Sequence, residues 1–228
     1  MIGPRIFFRR RFLDVLGSLY IYNEHRGYSS IDRVLEAVVR KCPEEAEFIA
    51  AVQKHRADER KHFVMFKRYF ETQGAMPYRV DRTCGHIDRL IEKTFGTTID
   101  DMEVDAIVAD DALFKKLCRI IVLTERRGER QLEVLLRSPA VLSDKTLTRI
   151  FEVIRKDEPD HWQPYQYWLD KFGGAIPSWR ERAADWMVHK TLVLLKLPLM
   201  FLNPALSRRK EWHDAGEGND TPVMLKRC

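Results

Sequence analysis

The apolar positions of this chain recur at helical spacing. Phe12, Val15, Leu16, Leu19 and Tyr20 form an i, i+3, i+4 stripe that leads into Glu24. Gly27-Tyr28-Ser29-Ser30 predicts an interruption, with Ser30 capping a second stretch that carries Ile31, Val34, Leu35 and Val38. Lys41-Cys42-Pro43 reads as a turn, and Pro43 suits the first turn of the next helix, where its missing N–H costs nothing. That helix should end at Gln73-Gly74. Residues 75–101 read as a connection holding one short helix over 86–95. A long helix over 102–137 is broken by Ser138-Pro139, and Ser143 or Asp144 caps the next, which runs to Phe172-Gly173-Gly174. No alternation of period two lasts long enough for a strand. The pattern predicts an all-α fold of two long helical hairpins joined by a crossover of roughly thirty residues, then a C-terminal helix.

The polar positions on these helices repeat. Residues 56–63 read RADERKHF and residues 155–162 read RKDEPDHW, sharing an Arg, an Asp-Glu pair, a His three residues after the Glu, and a final aromatic. Residues 23–27 (NEHRG) and 124–128 (TERRG) agree in Glu, Arg and Gly. Glu24 and Glu59 are equidistant from the first turn, as Glu125 and Glu158 are from the second. In an antiparallel hairpin such residues lie level, each arm being about 17 residues or about 25 Å long. Each hairpin therefore sets one Glu opposite a Glu-x-x-His, and the chain reads as a duplicated hairpin about a pseudo-two-fold axis. Glu and His at i and i+3 share a helix face, so one cation can take an oxygen and a nitrogen from one helix. Glu59 and Glu158 have the reach to bridge two cations, with Glu24 and Glu125 as terminal ligands. Four carboxylates offset two divalent cations, which allows so many acids to be buried together. Four Glu and two His also leave coordination positions open for dioxygen or peroxide.

This arrangement resembles the ferritin-like di-iron carboxylate superfamily, whose ligand set is Glu, Glu-x-x-His, Glu, Glu-x-x-His on four helices. The intervals of 35 and 33 residues within the hairpins are similar to those of rubrerythrins. The resemblance covers residues 12–174 and implies a ferritin-like four-helix bundle in which Glu24, Glu59, His62, Glu125, Glu158 and His161 hold two iron ions, or manganese. The superfamily includes iron stores, peroxidases, quinol oxidases and oxygen-dependent hydroxylases, so its motif fixes the cofactor more closely than the reaction. It implies a di-iron oxidase or monooxygenase that activates dioxygen, supplied with electrons by a separate donor. The rival expectations are a rubrerythrin-like peroxidase, an iron-handling protein, and a structural membrane-binding module with a di-metal site.

Several neighbours have two readings. Glu129 and Glu133 are substitute ligands or, more simply, surface residues. Pro159 and Pro164, inside the helix of Glu158, widen the site or mark a tolerated kink. Asp58 and Asp157, four residues before their histidines, orient those imidazoles or are exposed. Tyr20 and Tyr165 approach the site or belong to the core. For His25, His55 and His86 the sequence suggests no particular partner.

Composition narrows the class. A chain of 228 residues, 45% hydrophobic and 32% charged, supports one good core without a second domain. The net charge of +5 is uneven: residues 1–11 hold Arg5, Arg9, Arg10 and Arg11 and no acid, and residues 178–228 hold nine Lys or Arg against six acids. A mildly acidic body with two basic ends argues against a nucleic-acid groove and for contact with an anionic surface. Cys42, Cys84, Cys118 and Cys228 form no Cys-x-x-Cys pair, which excludes a rubredoxin-like iron site and fits a reduced, cytoplasmic protein. The arginine-broken N-terminus does not read as a signal peptide, and no transmembrane span is expected.

Residues 186–204, WMVHKTLVLLKLPLMFLNP, place Met187, Val188, Leu192, Leu194 and Leu195 on one helix face and Arg182, His189, Lys190 and Lys196 opposite. That is the composition of an amphipathic helix lying in a membrane interface, and the N-terminal RIFFRRRF repeats the theme. The competing reading packs this helix on the bundle or in a homodimer. The expected division is a ferritin-like di-metal bundle over 1–177, a C-terminal amphipathic helix over 178–212, and a polar tail over 213–228. On the membrane reading the protein is peripheral on the inner face, and its substrate is lipophilic.

Overall fold

The structure, a computed structural model, describes residues 4–214; residues 1–3 and 215–228, which include Cys228 and most of the polar tail, lie outside the described residues. Helices α1 (Pro4–Lys41) and α2 (Ala46–Thr72) form the first hairpin. A connection with a 3-10 turn (Arg82–Cys84), α3 (His86–Phe95) and α4 (Val104–Ala109) leads to the second. That hairpin comprises α5 (Asp111–Leu135), the short α6 (Pro139–Leu142) and α7 (Lys145–Phe172). Finally α8 (Trp179–Thr191) continues through a π-helical turn (Leu192–Lys196) into α9 (Leu197–Leu202). The protein is all-α, and an isolated bridge between Tyr78 and Arg208 is the one β-type pairing among the described residues.

Helix α1 packs along α2, α2 along α7, and α7 along α5, but α1 and α5 make no extensive contact with one another. The open side is covered by α3 and α8. One apolar cluster, with Val38, Val52, Phe114 and Leu169, fills one end of the bundle, and another, with Leu16, Phe66, Leu132 and Phe151, fills the other. These groupings make α1 antiparallel to α5 and α2 parallel to it. The connection over 73–110 therefore travels the length of the bundle.

Three boundaries differ from expectation. No interruption occurs at Gly27–Ser30: α1 is continuous, and Ser30 Oγ donates to the Arg26 carbonyl (2.6 Å) within the helix instead of capping a new one. One interior glycine costs about 1 kcal/mol, which packing along a long helix outweighs. Pro43 sits in the turn, before the first residue of α2, Ala46. The helix expected over 102–137 is two, because Asp110 is extended and its carboxylate accepts from the Ala112 and Leu113 amides, starting α5 afresh. Asp144, not Ser143, caps α7 by accepting from the Leu147 amide (3.0 Å), and α7 runs as one helix through Pro159 and Pro164.

The C-terminal segment is tied to the body at several points. Ser178 and Glu181 form a capping box at the start of α8, and Arg119 pairs with Glu181 (2.8 Å). Arg11 donates to the carbonyls of Met200 (3.0 Å) and Asn203 (2.5 Å), and the Phe8 ring meets Phe201, so the two basic ends come together. The expected single apolar face is divided. Val188 is buried, and Leu192, Leu197 and Met200 pack against an apolar cluster that includes Val15 and Leu19, while Leu194, Leu195, Leu199 and Leu202 are exposed. The opposite cationic face is also partly committed, since His189 meets Gln131 and Lys196 donates to Thr83; beyond the helix, Arg208 pairs with Asp14. Among the described residues no helix is long and apolar enough to cross a membrane. Cys42, Cys84 and Cys118 are buried thiols outside any disulfide.

Candidate metal centre

Between the two apolar clusters the helices bring acids and imidazoles to one level. His62 Nδ1 lies 3.2 Å from Glu24 Oε2, and His161 Nδ1 lies 3.3 Å from Glu59 Oε1. His55 Nε2 is 3.6 Å from Glu59 and 3.9 Å from Glu125. The donors form two groups that could each hold a metal ion: His55, Glu59, Glu125 and His161, and beside them Glu24, Glu59 and His62. Within each group one donor atom per residue lies within 4.8 Å of the others, and Glu59 belongs to both.

Of the six residues named from the sequence, Glu24, Glu59, His62, Glu125 and His161 enter these groups. Glu158 enters neither; it is buried beside them, its carboxylate resting on Gly128. His55, for which the sequence suggested no particular partner, is the addition. It stands one turn before Glu59, so α2 presents His-x-x-x-Glu-x-x-His on one face. It has no twin in the repeat, because the equivalent position on α7 is Ile154. Glu129 instead accepts from the Trp162 indole (3.2 Å), and Glu133 is exposed. His25 stacks edge-on against Tyr28 and Phe63.

The two aspartates act across the hairpins. His62 Nε2 meets Asp157 of α7 at 2.9 Å, and His161 Nε2 faces Asp58 of α2 at 3.6 Å. Lys61 reaches both aspartates, at 2.5 and 2.8 Å, and holds the pair in place. With Nε2 turned to an aspartate, each histidine presents Nδ1 to the carboxylates, the arrangement that fixes a metal-binding imidazole.

The Glu-x-Arg-Gly repeat divides into three tasks. Its Glu enters the site. Its Arg turns to the covering helices, where Arg26 pairs with the buried Asp88 of α3 (2.8 Å) and Arg127 with the buried Asp185 of α8. Its Gly leaves room for the facing acid: a Cβ on Gly27 would overlap the Glu59 carboxylate, and one on Gly128 would stand 3.3 Å from Glu158.

Burial and the charge of Glu59 lift Glu24 to about 7 and Glu125 to about 8. Burial and the nearby Glu125 push Glu158 well above the usual carboxylate range. Burial also opposes ionisation of Glu59, but His161 and His55 outweigh it and hold Glu59 below its ordinary value. Burial disfavours charge on His62, yet Asp157 and Glu24 raise it to about 9; Asp58 and Glu59 likewise overcome burial at His161. His55, by contrast, is lowered to about 4 by burial and by His161. Protons therefore crowd onto this layer when no cation is bound.

The donor set fits a metal. Nδ1 of His62 and Nδ1 of His161, the ring atoms turned to Glu24 and Glu59, are buried without a well-aligned hydrogen bond. Each such orphan costs about 1–3 kcal/mol, a cost that coordination would remove. Mixed carboxylate and imidazole donors suit iron, manganese or zinc more than calcium or magnesium.

A cavity of about 460 Å³ opens beside this layer, in the gap between α1 and α5. Leu19, Ile31, Ile91, Leu117 and Ile121 are among its walls, and Glu24, Glu59, Glu125 and Glu158 reach its inner surface. Tyr20 also lines it, while Tyr165 belongs to the core, its ring 6.1 Å from His55. Comparison with protein-family models, curated proteins and solved structures finds no match to this chain.

Proposed function

We propose that this chain is a ferritin-like, metal-dependent oxidoreductase that uses dioxygen to oxidise an organic substrate. The observation that carries this reading is Glu59, shared by two adjacent groups of nitrogen and oxygen donors on the inner wall of an apolar cavity. Glu24, Glu59, His62, Glu125, His161 and His55 would hold two ions, iron by preference and manganese as the alternative, with Glu158 alongside. Two iron ions there would supply the redox chemistry, reducing dioxygen with electrons from a separate donor.

The chain's own residues do the rest. Asp157 and Asp58 orient His62 and His161 so that Nδ1 faces inward. Glu24, Glu125 and Glu158 hold protons that a cation would displace. The apolar walls keep water away from the reacting centre and strengthen every charge interaction within it. Those walls favour an organic substrate over peroxide or stored iron, neither of which needs an apolar chamber. The exposed Phe7, Phe8, Leu194, Leu195, Leu199 and Leu202, with Arg9 and Lys190 on the same helices, support contact with an anionic membrane.

Anaerobic loading with ferrous iron, then mixing with oxygen, tests the reading. We expect two irons per chain and oxidation much faster than that of free ferrous ion. A ferrous form that survives air for hours would leave a structural metal site, and rapid turnover of peroxide in place of oxygen would leave the peroxidase.

A further inference from the structure

The cavity has a shape and an outer end that the metal chemistry does not require. Its lining runs from Leu16 to Val34 on α1 and from Leu117 to Leu135 on α5, about 27 Å along each helix at 1.5 Å per residue. A volume of about 460 Å³ lies within the range of sites that hold small organic molecules. Stretched along five turns of helix, it suits a long chain better than a compact ring system.

The inner wall, at mid-length, and the outer side differ in chemistry. The inner surface carries the acids of the metal centre. Toward the covering helix α8 the lining turns to His86, Arg127, Gln131 and His189. His86, for which the sequence suggested no partner, turns Nε2 to Asp185 at 3.4 Å, while its Nδ1 is buried without a hydrogen bond and gives this end polar capacity to spare. Between α5 and this polar end, Leu192, Val193 and Leu197 of the π-helical turn and α9 complete the wall. That turn continues outward into the exposed Leu194, Leu195, Leu199 and Leu202, so the rim of the cavity is itself apolar. π-Helical turns are frequent where a helix borders a functional site.

We propose that the cavity binds a long-chain amphiphile, its apolar chain laid along the gap between α1 and α5 and its polar head held by His86, Gln131 and His189. It enters past the π-helical turn from the apolar surface. This names the substrate class for the proposed oxidoreductase and rests on that reading only for what happens to the chain once bound. Binding itself needs no metal, no electron donor and no oxygen.

The test uses the full chain stripped of metal with chelator and titrated with cis-parinaric acid, a fluorescent long-chain fatty acid. We expect saturable binding at one probe per chain, displaced by oleate but not by hexanoate. Ile121→Trp, which fills the chamber, should weaken binding at least tenfold. Its helical content and metal uptake are measured alongside, and Leu192→Trp, at the rim, serves as the second variant should the first misfold. Non-saturable binding, equal displacement by hexanoate, or unchanged affinity in a folded cavity-filling variant would overturn the proposal. Failure of oxygen uptake with probe binding intact would overturn the oxidoreductase reading and leave this one standing.

Discussion

Gly27→Ala isolates the close approach on which the shared carboxylate depends. Alanine would ordinarily stabilise the interior of α1 by about 0.5–1 kcal/mol relative to glycine. Here its Cβ would overlap the Glu59 carboxylate, which is buried and held by His161 and His55. Glu59 would have to swing away from two imidazoles, and breaking a buried ion pair costs about 3–5 kcal/mol. The net loss is about 2–4 kcal/mol, a fall in Tm of roughly 5–15 °C for a chain of this size. Because Glu59 serves both donor groups, metal uptake should fall with it. Gly128→Ala is the control, since its Cβ would stand 3.3 Å from Glu158, a contact that a shift of a few tenths of an ångström relieves. It should keep both metals with Tm unchanged or slightly higher. Calorimetry and metal analysis on the two variants decide the matter. A Gly27→Ala protein that is more stable than the parent and binds metal normally would refute the reasoning.

Other outcomes follow from the same layer. Asp157→Asn should lower metal affinity about 10–100-fold by releasing the His62 ring, with helical content unchanged, and competition with a chromophoric chelator would read it. His55→Ala should weaken the group that contains Glu125 and His161 more than the group around Glu24, giving one tight and one weak site in a metal titration. Without metal, Glu24, Glu125 and His62 keep protons in the fold that they would lose in the unfolded chain, so Tm should fall as pH rises from about 6.5 to 9. Excess metal should abolish that fall because the cation takes the place of the protons, and a metal-free Tm that climbs across this window would contradict it. Ser178→Ala should cost about 1 kcal/mol by removing the cap of α8, seen as a lower Tm with metal content preserved.

The helices and turns are legible in the sequence because they rest on local signals: apolar spacing, Gly74 at a positive φ, and an aspartate cap on α7. The short helix over His86–Phe95 has the same origin in its own apolar face. What escapes is set by distant partners. Gly27 reads as a break until Glu59 is seen lying against it, and Asp110 reads as one more polar helix residue until its backbone is seen to be extended. The acids and histidines of the repeat announce themselves by duplication, but His55 has no twin and so no such signal. Arg26 and Arg127 repeat visibly, yet the partners that give them meaning, Asp88 and Asp185, lie on helices outside the repeat. The apolar C-terminal face divides at Met187, exposed beside the buried Val188, and the π-helical turn that follows departs from the uniform 100° spacing that a sequence projection assumes.

The crossed aspartates bear on how the protein assembles. Each hairpin contains a histidine, but the group that fixes its ring comes from the other hairpin, Asp157 for His62 and Asp58 for His161. A hairpin that has formed alone therefore presents an unsteered imidazole. Helix formation within a hairpin is fast and local, whereas the crossed contacts span more than ninety residues and wait on docking of α2 against α7. In refolding, the far-ultraviolet signal should recover first and tight metal capture later, so that capture serves as a clock for the meeting of the two halves.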